Sequence, residues 1–314
     1  MTPPVLLNVA RPWGEADPVA LATRAREAGL DGVGLADSPR LFPDPLVETG
    51  RVLAGTDTRL AGPCVLGLGL RHPATVAGAV RTLATHHPGR VVAVVGRGES
   101  SVRNEGLPVP SLREHEAALH AVRELVDGAI LLGAASGPRT IAATAAALGG
   151  VLVDVGTDPA VLGRAAAVAR AADPGAAVWV FVRAALTSSA EEEEAAARPV
   201  LGSCAARIAG APDWHGVDGD DLAHVRAVAA AHDYRRHGTT DARRPGHPDG
   251  AGDALVRERF LVTGDGIAVT ARIRALGEVG VDGVVLAGAV AGVTERLAGL
   301  AAAVTRGLST DPPE

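Results

Sequence analysis

Aromatic side chains are scarce: three Trp, one Tyr and three Phe in 314 residues, against a hydrophobic fraction of 47%. The core must therefore be filled by Ala, Val and Leu, and sites built on stacked rings are few. Only two cysteines occur, Cys64 and Cys204, and no CxxC. That excludes a disulfide framework or a thiolate zinc site and fits a reduced, cytoplasmic compartment. The net charge is −6, no block of basic residues appears, and Arg243-Arg244 is too short to count. A nucleic-acid partner would need a basic patch, so none is expected. No apolar run is long enough for a membrane span, and the start, MTPPVLLNVARPWGE, has neither the basic nor the apolar part of a signal peptide. A GxSxG elbow and a Walker A loop are also lacking.

What is present is a rhythm. Short aliphatic runs at Val5–Val9, Gly32–Leu35, Arg59–Leu66, Val91–Val95, Ile130–Gly133, Val151–Val155, Val178–Val182 and Val281–Leu286 alternate with helical segments. The runs are continuous, without polar alternation, which predicts strands buried on both faces of a parallel sheet. Helix punctuation agrees: Gly29 ends Asp17–Ala28, Pro73 opens Ala74–His86, and Ser111-x-x-Glu114 is a capping box for Ser111–Val126. Eight strand–helix units in 314 residues predict a (β/α)8 TIM barrel of one domain, residues 1–308. The alternative is an open doubly wound sheet, weakened because no GxGxxG follows the first strand. Residues 187–264 break the rhythm as an insertion between strand seven and the following helix. They carry the acidic run Glu191–Glu194, expected to be a solvated helix start, and the Pro/Gly/His/Arg-rich stretch Gly238–Gly252. Residues 309–314 read as a disordered tail.

Chemistry in such a barrel sits at the C-terminal strand ends. Strand four ends in Gly96-Arg97-Gly98 and then Glu99. The glycines leave bare backbone for a ligand, and the acid can give or take a proton; the plain alternative is an exposed loop acid. Asp37 follows strand two, as a site acid or a turn residue before Pro39. Cys64, Val65 and then Arg71-His72-Pro73 belong to the end of strand three. Ser136-Gly137-Pro138 and Gly156-Thr157-Asp158-Pro159 each open a helix. Two neighbouring helix N-termini suit a phosphate, or else these residues merely cap the helices. Metal chemistry is not expected. His115 and His120 are five apart, about 140° round a helix, and so cannot share an ion. His215, His224, His232, His237 and His247 lack a paired Cys or carboxylate pattern. Cys204 reads as a structural thiol.

In order and spacing these segments resemble one family. EAGLDGVGLADS (Glu27–Ser38), the run from Asp57 to Leu83 with its RHP, GRVVAVVGRGES (Gly89–Ser100), AASGPRTIAATAAALGGVLVDVGT (Ala134–Thr157), HDYRRHG (His232–Gly238) with His247, and Phe260–Leu286 are similar to the bacterial-luciferase-like oxidoreductases, especially the methylenetetrahydromethanopterin-reductase-like branch. The resemblance implies a TIM barrel that binds the deazaflavin F420, or alternatively FMN, at the strand ends. It implies a non-prolyl cis peptide at Cys64–Val65 behind the ring, phosphate turns at Ser136-Gly137 and Gly156-Thr157, a proton-handling acid at Glu99 and an acid at the ring end at Asp37. It further implies hydride transfer to or from a small organic substrate, a homodimer and, in the FMN case, an oxygen-using enzyme fed by a partner flavin reductase. Some such barrels are non-catalytic. Ser38 stands where many relatives have His, which removes an imidazole from that position. Trp13, Phe42, Trp179 and Trp214 are the available aromatics to flank a substrate.

Overall fold

The computed structural model describes residues 2–10, 17–236, 251–287 and 293–309. Trp13, His237, Arg243-Arg244, His247, nearly all of Gly238–Gly252 and most of the tail lie outside them. The first half of the chain runs β1 (Val5–Val9), α1 (Pro18–Glu27), β2 (Gly32–Leu35), α2 (Pro45–Gly55), β3 (Leu60–Gly67), α3 (Pro73–His86), β4 (Val92–Gly96), α4 (Glu99–Asn104), α5 (Leu112–Leu125), β5 (Ile130–Ala135) and α6 (Pro138–Leu148). It continues with β6 (Gly150–Val153), α7 (Pro159–Ala172) and β7 (Ala177–Leu186). After the inserted helices come β8 (Leu261–Gly264), α13 (Gly266–Gly277), β9 (Gly283–Ala287) and α14 (Val293–Leu308).

Strands β1 to β7 and β9 form a closed, all-parallel barrel of eight. Closure is made by β6 on β7, from Gly150↔Ala177 to Val153↔Val180, by β7 on β9, and by β9 on β1, from Val5↔Val284 to Asn8↔Ala287. Alternate residues of each strand point in and out. Thus Val92 and Val94 of β4 join Leu6, Leu60, Cys64, Leu132, Leu152, Trp179 and Val285 inside the barrel. Ala93 and Val95 instead face the helices. The scarcity of aromatics makes Trp179 the largest filler of this interior. It fits because Gly283 stands opposite: a Cβ there would lie 2.3 Å from the Trp179 ring. Trp179 lies near the start of β7, away from the strand ends, so it packs the barrel and does not flank a substrate. Phe42 is likewise buried.

The sequence signals place most helices correctly because their caps are local. The capping box Ser111–Glu114 is formed, and Asp17, Asp44, Asp158 and Asp265 each cap a helix through the side chain. Two elements differ from the sequence expectation. Glu99 opens a short helix, α4, where a loop was expected. Leu261–Gly264, assigned to the insertion, is a strand paired with the outer half of β7, Arg183↔Leu261 to Leu186↔Gly264. Four residues of aliphatic and β-branched character carry too short a pattern to reveal it.

Between β7 and β8 the chain leaves the barrel as α8 (Ala190–Ala197), α9 (Leu201–Gly210), α10 (Pro212–His215), α11 (Gly219–Ala230), a 3-10 turn (Tyr234–Arg236) and α12 (Ala251–Phe260). These helices hold their own apolar cluster of Leu201, Cys204, Ile208, Val225, Val256 and Phe260. Cys204 is fully buried there, and burial pushes its thiol up to about 11. The acidic run is only partly solvated. Glu192 pairs with Arg296, and Glu194 pairs with Arg198 and Arg257.

Candidate active site

The end of β3 is irregular. Its register against β4 shifts between Cys64 and Leu66, and the Cys64–Val65 peptide is cis. The Asn8 side-chain amide, from β1, donates to the Cys64 carbonyl at 2.7 Å. Cys64 is buried, and burial pushes its thiol up to about 12, so it stays a neutral packing group. The glycines at the end of β4 serve this irregular strand. A Cβ on Gly96 would sit 2.8 Å from Val65 Cγ1, and one on Gly98, at φ +71°, would sit 2.8 Å from Gly67 Cα. The direction in which a side chain would project from each glycine is thus taken by β3. Both glycines let β3 and β4 close on each other and so fix where Val65 lies.

Asp37 is almost fully enclosed, its side chain 1% exposed. Its Oδ2 accepts from the Gly67 N–H at 2.9 Å and from Arg71 at 2.5 Å. Arg71 also donates to Asp44, the N-cap of α2, at 2.8 Å. Asp37 therefore fastens the end of β3 to the turn after β2. Its Oδ1 is buried and has no hydrogen-bond partner among the described residues. His72 caps α3, with Nδ1 accepting the Ala74 N–H.

Glu99 is different. Its side chain is 46% exposed and pairs with Arg97 at 3.1 Å, while Arg97 also donates to the Pro110 carbonyl. The insertion reaches this point. Asn104 of α4 donates to the Tyr234 carbonyl at 2.9 Å, and the rings of His232 and Tyr234 meet edge to face at 4.6 Å. Burial pushes the Tyr234 phenol up; Glu99 adds to this, and Arg207 and Arg103 oppose it. Tyr234 therefore lies within electrostatic reach of all three.

The two expected phosphate turns part company. At Ser136-Gly137 no side chain caps α6, and a Cβ on Gly137 would meet nothing within 4 Å. At Gly156-Thr157 the insertion has taken the place. The Thr157 N–H donates to the Arg259 carbonyl at 2.7 Å, and its hydroxyl accepts from Arg272 at 2.9 Å. Asp158 caps α7 and pairs with Arg259. Thr157 is buried with its N–H spent, so this turn is not free to hold a phosphate; its polar groups anchor α12 instead.

One cluster was not anticipated. Asp154, just past β6, receives both terminal nitrogens of Arg183 from β7, at 2.7 and 3.0 Å, and Nε of Arg207 from α9 at 3.1 Å. Arg183 also lies 5.0 Å from the Phe181 ring. Burial opposes the Asp154 charge, yet the two guanidiniums hold its carboxyl well below the usual range. The available signal was a lone acid beside one apolar strand and a lone arginine within another, since such charges are seldom buried unpaired. Asn8 in VLLNV carried a similar signal.

A cavity of about 600 Å³ lies elsewhere, between α3 and α5, lined by Leu68, His72, Pro110, His115, Ala118 and Leu125. His115 is buried there. Trp214 packs against Arg164 outside both sites.

Residues 10–129 match the family model described as luciferase-like monooxygenase. The chain is 35% identical over 134 residues to an F420-dependent glucose-6-phosphate dehydrogenase of Nakamurella multipartita, covering 38% of this chain and 39% of that protein. It is 35% identical over 128 residues to the enzyme of the same name from Beutenbergia cavernae, covering 37% and 38%. The chain thus matches about two fifths of the length of these curated relatives. In structure it is similar to the coenzyme F420-dependent tetrahydromethanopterin reductase from Methanopyrus kandleri, with a TM-score of 0.72 at 18% identity over 96% of this chain and 97% of that one. The stretch that is similar to the family model contains Asp37, Cys64, Val65, Gly96, Gly98 and Glu99, and it lies within a closed (β/α)8 barrel.

Proposed function

We propose that the protein is an F420-dependent oxidoreductase that moves a hydride between the deazaflavin and a small organic substrate. The observation that carries this reading is Glu99. It is a half-exposed acid at the end of β4, beside the irregular end of β3, inside the segment that matches the family model. The likeness to two F420-dependent dehydrogenases supports the choice of cofactor. The residues present fit such a group. Cys64-Val65 with Gly96 and Gly98 would back a ring, and the α6 start at Ser136-Gly137, which no side chain caps, would receive an anionic tail. F420, when bound, supplies a two-electron carrier that does not activate oxygen.

The chain's own residues then have separable roles. Glu99 donates a proton to the substrate oxygen as its carbon gains the hydride, or accepts that proton in the reverse direction. Arg97 holds the carboxylate in place between turnovers. Asp37 positions the β3 end through Gly67 and Arg71. A second reading, an FMN-dependent monooxygenase served by a flavin reductase, draws on the description of the matching family model. A homodimer and a cytoplasmic setting belong to the same proposal. No helix among the described residues is long and apolar enough to cross a membrane.

The test is a side-by-side fluorescence titration with F420 and FMN. Tight F420 and weak FMN binding supports the proposal. A preference for FMN moves the case to the oxygen-using reading. Binding of neither leaves a non-catalytic barrel.

A further inference from the structure

We propose that Arg207 anchors an oxyanion, carboxylate or phosphate, of the molecule that reacts beside Glu99. This rests on the oxidoreductase reading and assigns it a substrate class: small organic anions.

Charge count is the first ground. Arg183 and Arg207 converge on a single carboxylate, Asp154, which leaves the cluster with one positive charge in excess. The second ground is how the donors are used. Arg183 is 8% exposed and delivers both terminal nitrogens to Asp154, with the Phe181 and Phe260 rings 5.0 and 5.8 Å from its guanidinium carbon. Arg207 commits only Nε to Asp154. Its two terminal nitrogens have no hydrogen-bond partner among the described residues, and its side chain is 33% exposed. Those nitrogens present a fork suited to two oxygens of one anion. The third ground is position. Asp154 follows β6 and Glu99 follows β4, both at the C-terminal end of the barrel, and the Tyr234 carbonyl accepts from Asn104 of the helix that Glu99 opens. The excess charge is therefore on the side of the barrel where the proton would be transferred.

Asp154 has a double part in this arrangement. It orients Arg207 through Nε, and it supplies a fixed negative charge that moderates the pull on an incoming anion. The two arginine variants and the aspartate variant should therefore move binding in opposite directions.

The experiment uses the full chain and inorganic phosphate as probe, titrated by calorimetry at constant ionic strength, with and without saturating F420. Acetate is the second probe. The expected result is saturable phosphate binding that survives F420 saturation. It should be weakened at least tenfold in Arg207→Met with the Tm held, partly restored in Arg207→Lys, and tightened in Asp154→Asn. Acetate binding with the same dependence on Arg207 makes the site one for carboxylates as well. Absence of saturable binding of either anion, or equal binding in Arg207→Met, overturns the proposal. Displacement of phosphate by F420 also overturns it, because the site would then serve the cofactor's own anionic tail. If F420 fails to bind while phosphate binds through Arg207, the cofactor reading falls and the anion site stands.

Discussion

The carbonyl of Arg259, at the end of α12, accepts the Thr157 N–H at 2.7 Å, so the last inserted helix closes directly on the turn after β6. Gly156 makes that contact possible. Its φ is +84°, and a Cβ would fall 2.3 Å from the same carbonyl. Gly156→Ala must adopt a left-handed conformation, which costs about 1–2 kcal/mol, and must also push Arg259 away. The expected outcome is a Tm several degrees lower in a thermal melt, together with faster proteolysis within 187–260. An unchanged Tm would mean that the insertion is not held at this turn.

Asp37→Asn separates a structural role from a purely chemical one. The amide oxygen can still accept the Gly67 N–H, but Arg71 loses one of its two counter-charges while 16% exposed. The expected loss is about 1–3 kcal/mol in chemical denaturation, since removing one partner leaves a poorly solvated charge. Full stability with lost activity would instead make Asp37 a group acting on the ligand alone.

Acid sensitivity should come in part from His115. It is 1% exposed, and its two ring nitrogens have no partner among the described residues. Burial, aided by Arg97, pulls its pKa down from 6.5 to about 4. The unfolded chain therefore binds the proton first as pH falls. Stability from this residue is complete above about pH 6.5 and is lost as pH drops toward 4, by roughly 2–4 kcal/mol in total. His115→Phe should flatten that part of the stability–pH curve. Asp154 acts lower: its folded carboxyl is depressed, so its share is present above the usual carboxylate range and is lost only in stronger acid. A His115→Phe curve parallel to that of the parent would refute the assignment.

The barrel was legible because its signals are local. Continuous aliphatic runs, proline at helix starts and Asp or Ser caps each act within a few residues, and parallel strands buried on both faces tolerate little else. The site was legible only in outline. Glu99, Asp37 and the Gly96-Arg97-Gly98 turn stand at strand ends, so their region could be named. What each does depends on partners far along the chain: Arg71 lies 34 residues from Asp37, and Arg259 lies 101 from Asp158. No periodicity encodes such pairs. The glycines illustrate the limit. A Gly at a strand end signals close approach, but not whether a ligand or the next strand approaches; here Val65 and Gly67 do. Thr157 misled for the same reason, because a helix start that could bind phosphate is equally able to bind the carbonyl of an inserted helix.

Glu99→Gln is the decisive substitution for the chemistry. Glu99 is half-exposed and, among the described residues, its side chain is paired with Arg97, so the amide should leave the stability within about 0.5 kcal/mol of the parent. F420 affinity, read by fluorescence, should likewise change little, because the proposed ring backing is Cys64, Val65 and the β4 glycines, not the Glu99 carboxyl. Turnover should fall by about 10²–10⁴, the usual share of a positioned acid or base. The fall should appear in kcat, with KM close to the parent value, since the carboxyl is needed for the proton and not for holding the ring. A solvent isotope effect on the parent that disappears in Glu99→Gln would place the proton transfer at this carboxyl. Retained turnover would remove Glu99 from the chemistry and turn attention to Tyr234, the neighbouring group able to exchange a proton.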